Sequence, residues 1–163
     1  MQLACSYARR AQGQCWPNPA VGCVLVSADN TLLAVGLTQK GGRPHAEAHA
    51  LKSLEKSGNS EALKGGTAYV TLEPCAHTGQ TGPCADALVG AGISRVVIAA
   101  RDPDDRVNGR GIERLADSGV DIQIGVEAEA ARQVMAGFLA RVMMSRPLVT
   151  LKTATSLDGM IAL

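Results

Sequence analysis

The sequence predicts an α/β fold in which a mixed five-stranded sheet carries helices on both faces. Three observations carry this expectation. A β-branched run at Val21 to Val26 and a second strand-like run at Thr31 to Leu37 flank the turn residues Ala28-Asp29-Asn30, which reads as an antiparallel hairpin. From Thr67 onward strand-like runs alternate with helical periods, the pattern of right-handed βαβ units and a parallel portion of sheet. Apolar residues make up 46% of the 163 positions, enough for the core of one compact domain.

Each element follows from local pattern. Residues 1–12 place Leu3, Ala4, Tyr7, Ala8 and Ala11 at helical spacing, with Arg9 and Arg10 on the other face. Trp16-Pro17-Asn18-Pro19 ends that helix, because proline fixes φ and biases the preceding residue away from helical backbone. Val21 to Val26 reads as the first strand and Thr31 to Leu37 as the second. Gly41-Gly42-Arg43-Pro44 is a loop that feeds a helix from His45 to about Lys56. After a polar connection come a strand at Thr67 to Leu72, a helix at Cys84 to Gly90 and a strand at Arg95 to Ala100. A helix at Gly111 to Ser118, a strand at Val120 to Ile124 and one long helix from Glu127 to Met144 complete the unit. A boundary falls near Arg146-Pro147: residues 1–146 read as one domain, and 147–163 start like a strand of another unit. The stretch from Leu148 to Leu163 is apolar enough to seek a sheet edge on another subunit.

Composition narrows the function classes. The aromatics are only Tyr7, Trp16, Tyr69 and Phe138, so the core must be aliphatic. A net charge of +1 supplies no basic field, and few aromatics are available to stack bases, which argues against a nucleic-acid partner. No run of about 18 apolar residues is present to span a membrane, and MQLACSYARRAQGQ lacks the apolar stretch of a signal peptide. Five cysteines, an odd count without a secretion signal, point to reduced thiols and a cytoplasmic setting.

Four residues suggest chemistry. His45-Ala46-Glu47 opens a helix directly after Pro44, Pro74-Cys75 follows a strand, and Pro83-Cys84 opens the next helix. Zinc accepts imidazole nitrogen and thiolate sulfur in a tetrahedron, and three protein ligands leave the fourth position for water. The metal lowers the pKa of that water to roughly 7. Cys84 stands where the unpaired N–H groups of a helix start favour a thiolate. Glu47, two residues from His45, is placed to take a proton from the water and pass it to a ring nitrogen. It would later protonate departing ammonia, the work of a hydrolytic deaminase. The zinc-deaminase signature H-x-E…P-C-x-x-C is matched in its first half, but eight residues, Ala76 to Pro83, separate the two cysteines here. Cys5, Cys15 and Cys23 read as ordinary packing thiols. His45 and His49 form a helical pair, yet His-Ala-Glu-Ala-His is not the H-E-x-x-H order of metalloproteases. Deamination of another small base, of guanine or cytosine type, and a non-catalytic zinc module remain alternatives.

Four segments, PNPAVGCVLV, GGRPHAEAHAL, TAYVTLEPCAHTGQTGPCADAL and AGISRVVIAARDPDDRVNGRGIERL, resemble the deaminase half of the bifunctional riboflavin-biosynthesis deaminase/reductase. GFLARVMMSRPLVTLKTATSLDGMIA resembles the segment leading into that family's reductase domain. The resemblance implies a three-layer α/β/α cytidine-deaminase-like fold with one zinc held by His45, Cys75 and Cys84, and Glu47 as proton carrier. It implies hydrolytic removal of an amino group from a diaminopyrimidinone bearing a ribosylamino 5′-phosphate, a small phosphorylated aminopyrimidine. Asn18, His77 and Asp102 are implied as substrate contacts, with turn formation as the alternative for each. A homo-oligomer is implied as well. With only the first strand-like segment of the reductase unit present, NADP binding is not expected of this chain. Two positions depart from the family pattern: Thr38 stands where many members have His, and Gln80 where many have a basic residue. The loop reads Asp102-Pro103-Asp104-Asp105, which leaves Arg43, Arg101 or Arg106 to offset the lost cation.

Overall fold

The computed structural model describes residues 1–78, 82–104 and 107–161. Helix α1 (Gln2–Ala11) precedes a hairpin of β1 (Gly22–Val26) and β2 (Leu32–Leu37). Helix α2 (Ala46–Lys56) follows, and then β3 (Thr67–Leu72), α3 (Cys84–Gly90), β4 (Arg95–Ala100), α4 (Arg110–Asp117) and β5 (Asp121–Ile124). The five strands form one sheet in the order β2-β1-β3-β4-β5. Strand β1 pairs antiparallel with both β2 and β3, whereas β3, β4 and β5 run parallel. The mixed sheet expected from the hairpin and the βαβ pattern is therefore the observed one.

Two glycines set how closely helices approach this sheet. Gly22 pairs with Leu37 and faces α1, where an added Cβ would lie 1.9 Å from the Ala4 carbonyl oxygen. Gly36 pairs with Cys23 on the opposite face, and a Cβ there would lie 2.1 Å from the Ala46 carbonyl oxygen of α2. Neighbouring positions on a strand point to opposite faces, so α1 and α2 sandwich the hairpin. Helix α1 joins α5 (Ala128–Val134) on its side, while α3 and α4 continue the layer begun by α2. The result is three layers, α/β/α.

Between the layers the core is aliphatic: Leu25, Leu54, Leu63, Leu88, Ile98 and Leu115 are fully buried. Strand β4 is buried from Val96 to Ala100, as a parallel strand covered on both faces should be. One expectation is corrected. The single helix from Glu127 to Met144 is two helices, α5 and α6 (Ala136–Met144), separated by Met135 at φ −99° and ψ 12°. Met135 is 2% exposed and belongs to the core, whereas α6 buries no residue completely. The bend keeps α5 on the sheet and lets α6 turn away, and Gly137 beside it is a poor helix former. Residues 147–161 form neither helix nor strand, and Val149, Leu151 and Leu157 are exposed. No helix among the described residues is long and apolar enough to cross a membrane.

Candidate metal centre and substrate cavity

Parallel strands β3 and β4 end at the same edge of the sheet, where antiparallel β1 begins and β2 stops. Ligands of open α/β sheets bind outside the carboxyl ends of the strands, and here the helix starts of α2 and α3 meet that edge. A cavity of about 330 Å³ opens there. His45 is the residue just before α2, with extended backbone (φ −64°, ψ 162°), so its ring leaves the helix axis and reaches the cavity. Cys75 follows β3 by way of Glu73-Pro74, and Cys84 is the first residue of α3.

Together these three residues form the one His/Cys/Asp/Glu cluster with metal-binding geometry among the described residues. His45 Nδ1 lies 3.7 Å from Cys75 Sγ and 3.4 Å from Cys84 Sγ, and all ligand atoms fall within 4.8 Å of one another. Tetrahedral bonds of about 2.0 Å to nitrogen and 2.3 Å to sulfur would put such atoms about 3.5 Å apart. The donor set therefore fits a zinc-sized ion, with the cavity side left for a further ligand. His49, by contrast, is taken up elsewhere: its Nδ1 accepts the Leu37 N–H at 3.3 Å and contacts Gln39 Nε2 at 3.1 Å.

The helix start serves a different thiol from the one expected. The Cys84 N–H points at Cys75 Sγ (3.4 Å). Hydrogen bonding from Cys84, with help from His45, pulls the Cys75 thiol down to about 4. Competition from Cys75, together with burial, drives the Cys84 thiol upward. A residue at a helix N-terminus presents its own N–H outward, so the benefit falls on the neighbouring loop. Glu47, in the first turn of α2, is 4% exposed, and burial raises its carboxyl to about 7. Cys5, Cys15 and Cys23 are buried in apolar surroundings, and burial pushes the Cys23 thiol well up.

Asn18, His77 and Asp102 all line the same cavity. Asn18 Nδ2 donates to the Gly42 carbonyl at 2.8 Å and lies 3.4 Å from His45 Nε2, so the amide packs against the far edge of the ring. Gly42, at φ 87°, must be glycine, because a Cβ would meet the Asn18 side chain at 2.8 Å. His77 Nδ1 is buried without a hydrogen-bond partner among the described residues. Asp102, 8% exposed, accepts the Asp104 N–H through Oδ1 at 2.9 Å, so it shapes a turn and faces the cavity together. Thr38 is buried against the cavity, its Oγ1 accepting the Val21 N–H at 3.0 Å. Arg43 lines the cavity and Arg101 does not, while Gln80, Asp105 and Arg106 lie outside the described residues.

Three of the cavity residues that went unread in the sequence bear on its chemistry. Phe138 and Arg141 come from α6, and Arg141 donates to the Pro17 carbonyl (2.9 Å) while its guanidinium sits over Trp16 and Phe138. Glu73 is the third. Its signal was a carboxylate between a strand and Pro74-Cys75, a place where an exposed charge has little room.

Residues 1–100, which include His45, Glu47, Cys75 and Cys84, match the family model of the cytidine and deoxycytidylate deaminase zinc-binding region. The chain belongs to that family. Within it, the chain is 45% identical over 163 residues to riboflavin biosynthesis protein RibD of Escherichia coli, covering 100% of this chain and 43% of that protein. It is 43% identical over 162 residues to RibD of Aquifex aeolicus, covering 99% of this chain and 44% of that one. The crystal structure of a diaminohydroxyphosphoribosylaminopyrimidine deaminase/5-amino-6-(5-phosphoribosylamino)uracil reductase from Thermotoga maritima superposes with a TM-score of 0.92 at 41% identity, covering 99% of this chain and 45% of that one. The chain thus spans less than half the length of the relatives it matches, and the shared cytidine-deaminase-like fold is the one predicted.

Proposed function

We propose that the chain is a zinc-dependent deaminase that removes the 2-amino group of a diaminopyrimidinone bearing a ribosylamino 5′-phosphate. The observation that carries this reading is the buried Glu47 carboxyl beside a His45–Cys75–Cys84 set of tetrahedral dimensions, with Glu47, His45 and Cys75 lining one cavity. His45 Nδ1 and the two thiolates would hold one zinc ion, which supplies an activated water as nucleophile. Glu47 accepts the proton that the nucleophile sheds and delivers it to the ring nitrogen next to the reacting carbon; it then takes the hydroxyl proton of the substrate's tetrahedral adduct and passes it to the amine, which leaves as ammonia while the carbonyl forms. Burial raises the Glu47 carboxyl above its ordinary range, which favours uptake of the proton that it then passes on. Asn18 meets the pyrimidine from beside the His45 ring. His77, with its unpartnered Nδ1, and Asp102 contact the ring or its ribosyl group. Arg43, which shares the cavity with Arg141, is the cation that we assign to the phosphate. The names of the relatives support this substrate over a guanine- or cytosine-type base. Five free thiols are consistent with a cytoplasmic setting.

The test combines metal analysis with ammonia release from the diaminopyrimidinone phosphate, run beside a panel of other aminated bases. The wild-type chain should carry one zinc and prefer the phosphorylated pyrimidine. Glu47→Gln should keep the zinc and lose turnover by about 10²–10⁴-fold. Deamination that survives in this variant would refute the role of Glu47, and preference for another base would refute the substrate.

A further inference from the structure

Glu73 lies two residues before Cys75 and is 4% exposed, yet its carboxylate is neither a metal ligand nor part of an ion pair among those described. All of its recorded partners are backbone N–H groups. Oε2 accepts from Asp102 (3.3 Å) and Gly109 (3.1 Å), and Oε1 accepts from Gly111 (3.0 Å) and Ile112 (3.3 Å). A carboxylate offers about four lone-pair sites, so this one is filled. Three of the donors belong to the start of α4, and a cap for that helix would explain them alone. The bond to Asp102 does not belong to the helix. It reaches the loop after β4 whose side chain faces the substrate cavity, and Glu73 lines that cavity too.

We propose that Glu73 is a positioning residue that clamps the Asp102 wall of the cavity to the start of α4 and to the Cys75 loop, and thereby sets substrate affinity. The packing allows little slack. A Cβ at Gly111 would lie 1.9 Å from the Pro74 carbonyl oxygen, so α4 is pressed directly onto the Glu73-Pro74 peptide. If the carboxylate lets go of the Asp102 N–H, the loop carrying the Asp102 carboxylate loses its tie to the strand that leads to the metal ligand. His45, Glu47 and Cys84 sit on other elements and receive no bond from Glu73. The expected consequence is weaker binding rather than slower chemistry, which separates this role from that of Glu47. The inference rests on the reading of Asp102 as a substrate contact.

The experiment is a double-mutant cycle on the zinc-loaded chain, with Glu73→Gln, Asp102→Ala and the pair, reading kcat, KM and zinc content. Gln replaces one acceptor oxygen by a donor that faces two N–H groups. Glu73→Gln should raise KM about 10- to 100-fold, with kcat within about threefold of wild type and zinc retained. The double variant should be no worse than Asp102→Ala alone, because Glu73 acts on affinity only by positioning the Asp102 carboxylate, which that variant already lacks. An unchanged KM in Glu73→Gln, effects that multiply, or a kcat that falls in step with lost zinc would overturn the proposal. An unchanged KM in Asp102→Ala would instead remove the substrate contact itself, and the clamp's purpose with it. Hydrogen exchange on the wild-type chain needs neither substrate nor a variant that folds. The Asp102, Gly109, Gly111 and Ile112 amides should be protected as a block, and rapid exchange at Asp102 would also sink the clamp.

Discussion

Glu47 and Glu73 are both buried carboxyls on one cavity, yet their surroundings give them different work. Burial raises Glu47 to about 7 and leaves it able to carry a proton, whereas Glu73 spends both oxygens on backbone N–H groups. The thiols divide in a similar way. Removing metal with a chelator should expose a fast-reacting thiol at Cys75, whose sulfur is held as thiolate, while Cys5, Cys15 and Cys23 stay inert in the core. Thiol labelling with mass-spectrometric mapping checks this, and labelling of Cys23 ahead of Cys75 would contradict it. His45, Glu47, Cys75 and Cys84 were legible because each sits in a short local motif with a proline or helix start beside it. Glu73 was not, since its partners lie 29 to 39 residues further along the chain and only the fold shows them. Asn18 could be read as a turn residue or a site residue, and its position against the His45 ring is what places it at the cavity.

At the scale of elements, the sequence located every strand, because short apolar runs bounded by turn residues leave little choice of boundary. The break at Met135 escaped notice, since apolar periodicity continues through it. Only the need to bury Met135 while α6 departs from the sheet explains the bend. Gly22 and Gly36 carry a sharper lesson, because they look alike in sequence and serve opposite faces. Gly36→Ala should push α2 outward and cost about 1–3 kcal/mol of stability, as overpacking does. Because α2 begins beside His45 and carries Glu47, zinc affinity and turnover should fall as well. Gly22→Ala should cost a similar amount through α1 and leave zinc affinity near wild type. Denaturant melts paired with zinc competition would tell the two apart, and equal zinc loss in both variants would contradict the assignment of faces.

For the molecule as a whole, strand order decides which distant residues meet. Pairing β1 with β3 brings the segment before β1, with Asn18, beside the loop after β3, with Cys75. The order β2-β1-β3-β4-β5 could not be read from patterns that identify strands one at a time, although the mixed character of the sheet could. The near-neutral charge and aliphatic core were plain from composition.

That same scarcity of aromatic side chains has a practical consequence. Trp16 is the only indole in the chain, and it is 70% exposed beside Pro17, which lines the cavity. The Arg141 guanidinium lies 5.1 Å from its ring centroid while also lining the cavity, so the lone fluorophore touches the cavity wall through a cationic neighbour. Occupancy of the site should therefore shift the emission of the unlabelled protein, with no other tryptophan to dilute the signal. A titration with the pyrimidine phosphate that leaves the spectrum unchanged, despite binding seen by calorimetry, would show that this wall does not respond. A responsive Trp16 would give the protein a built-in optical probe of the cavity.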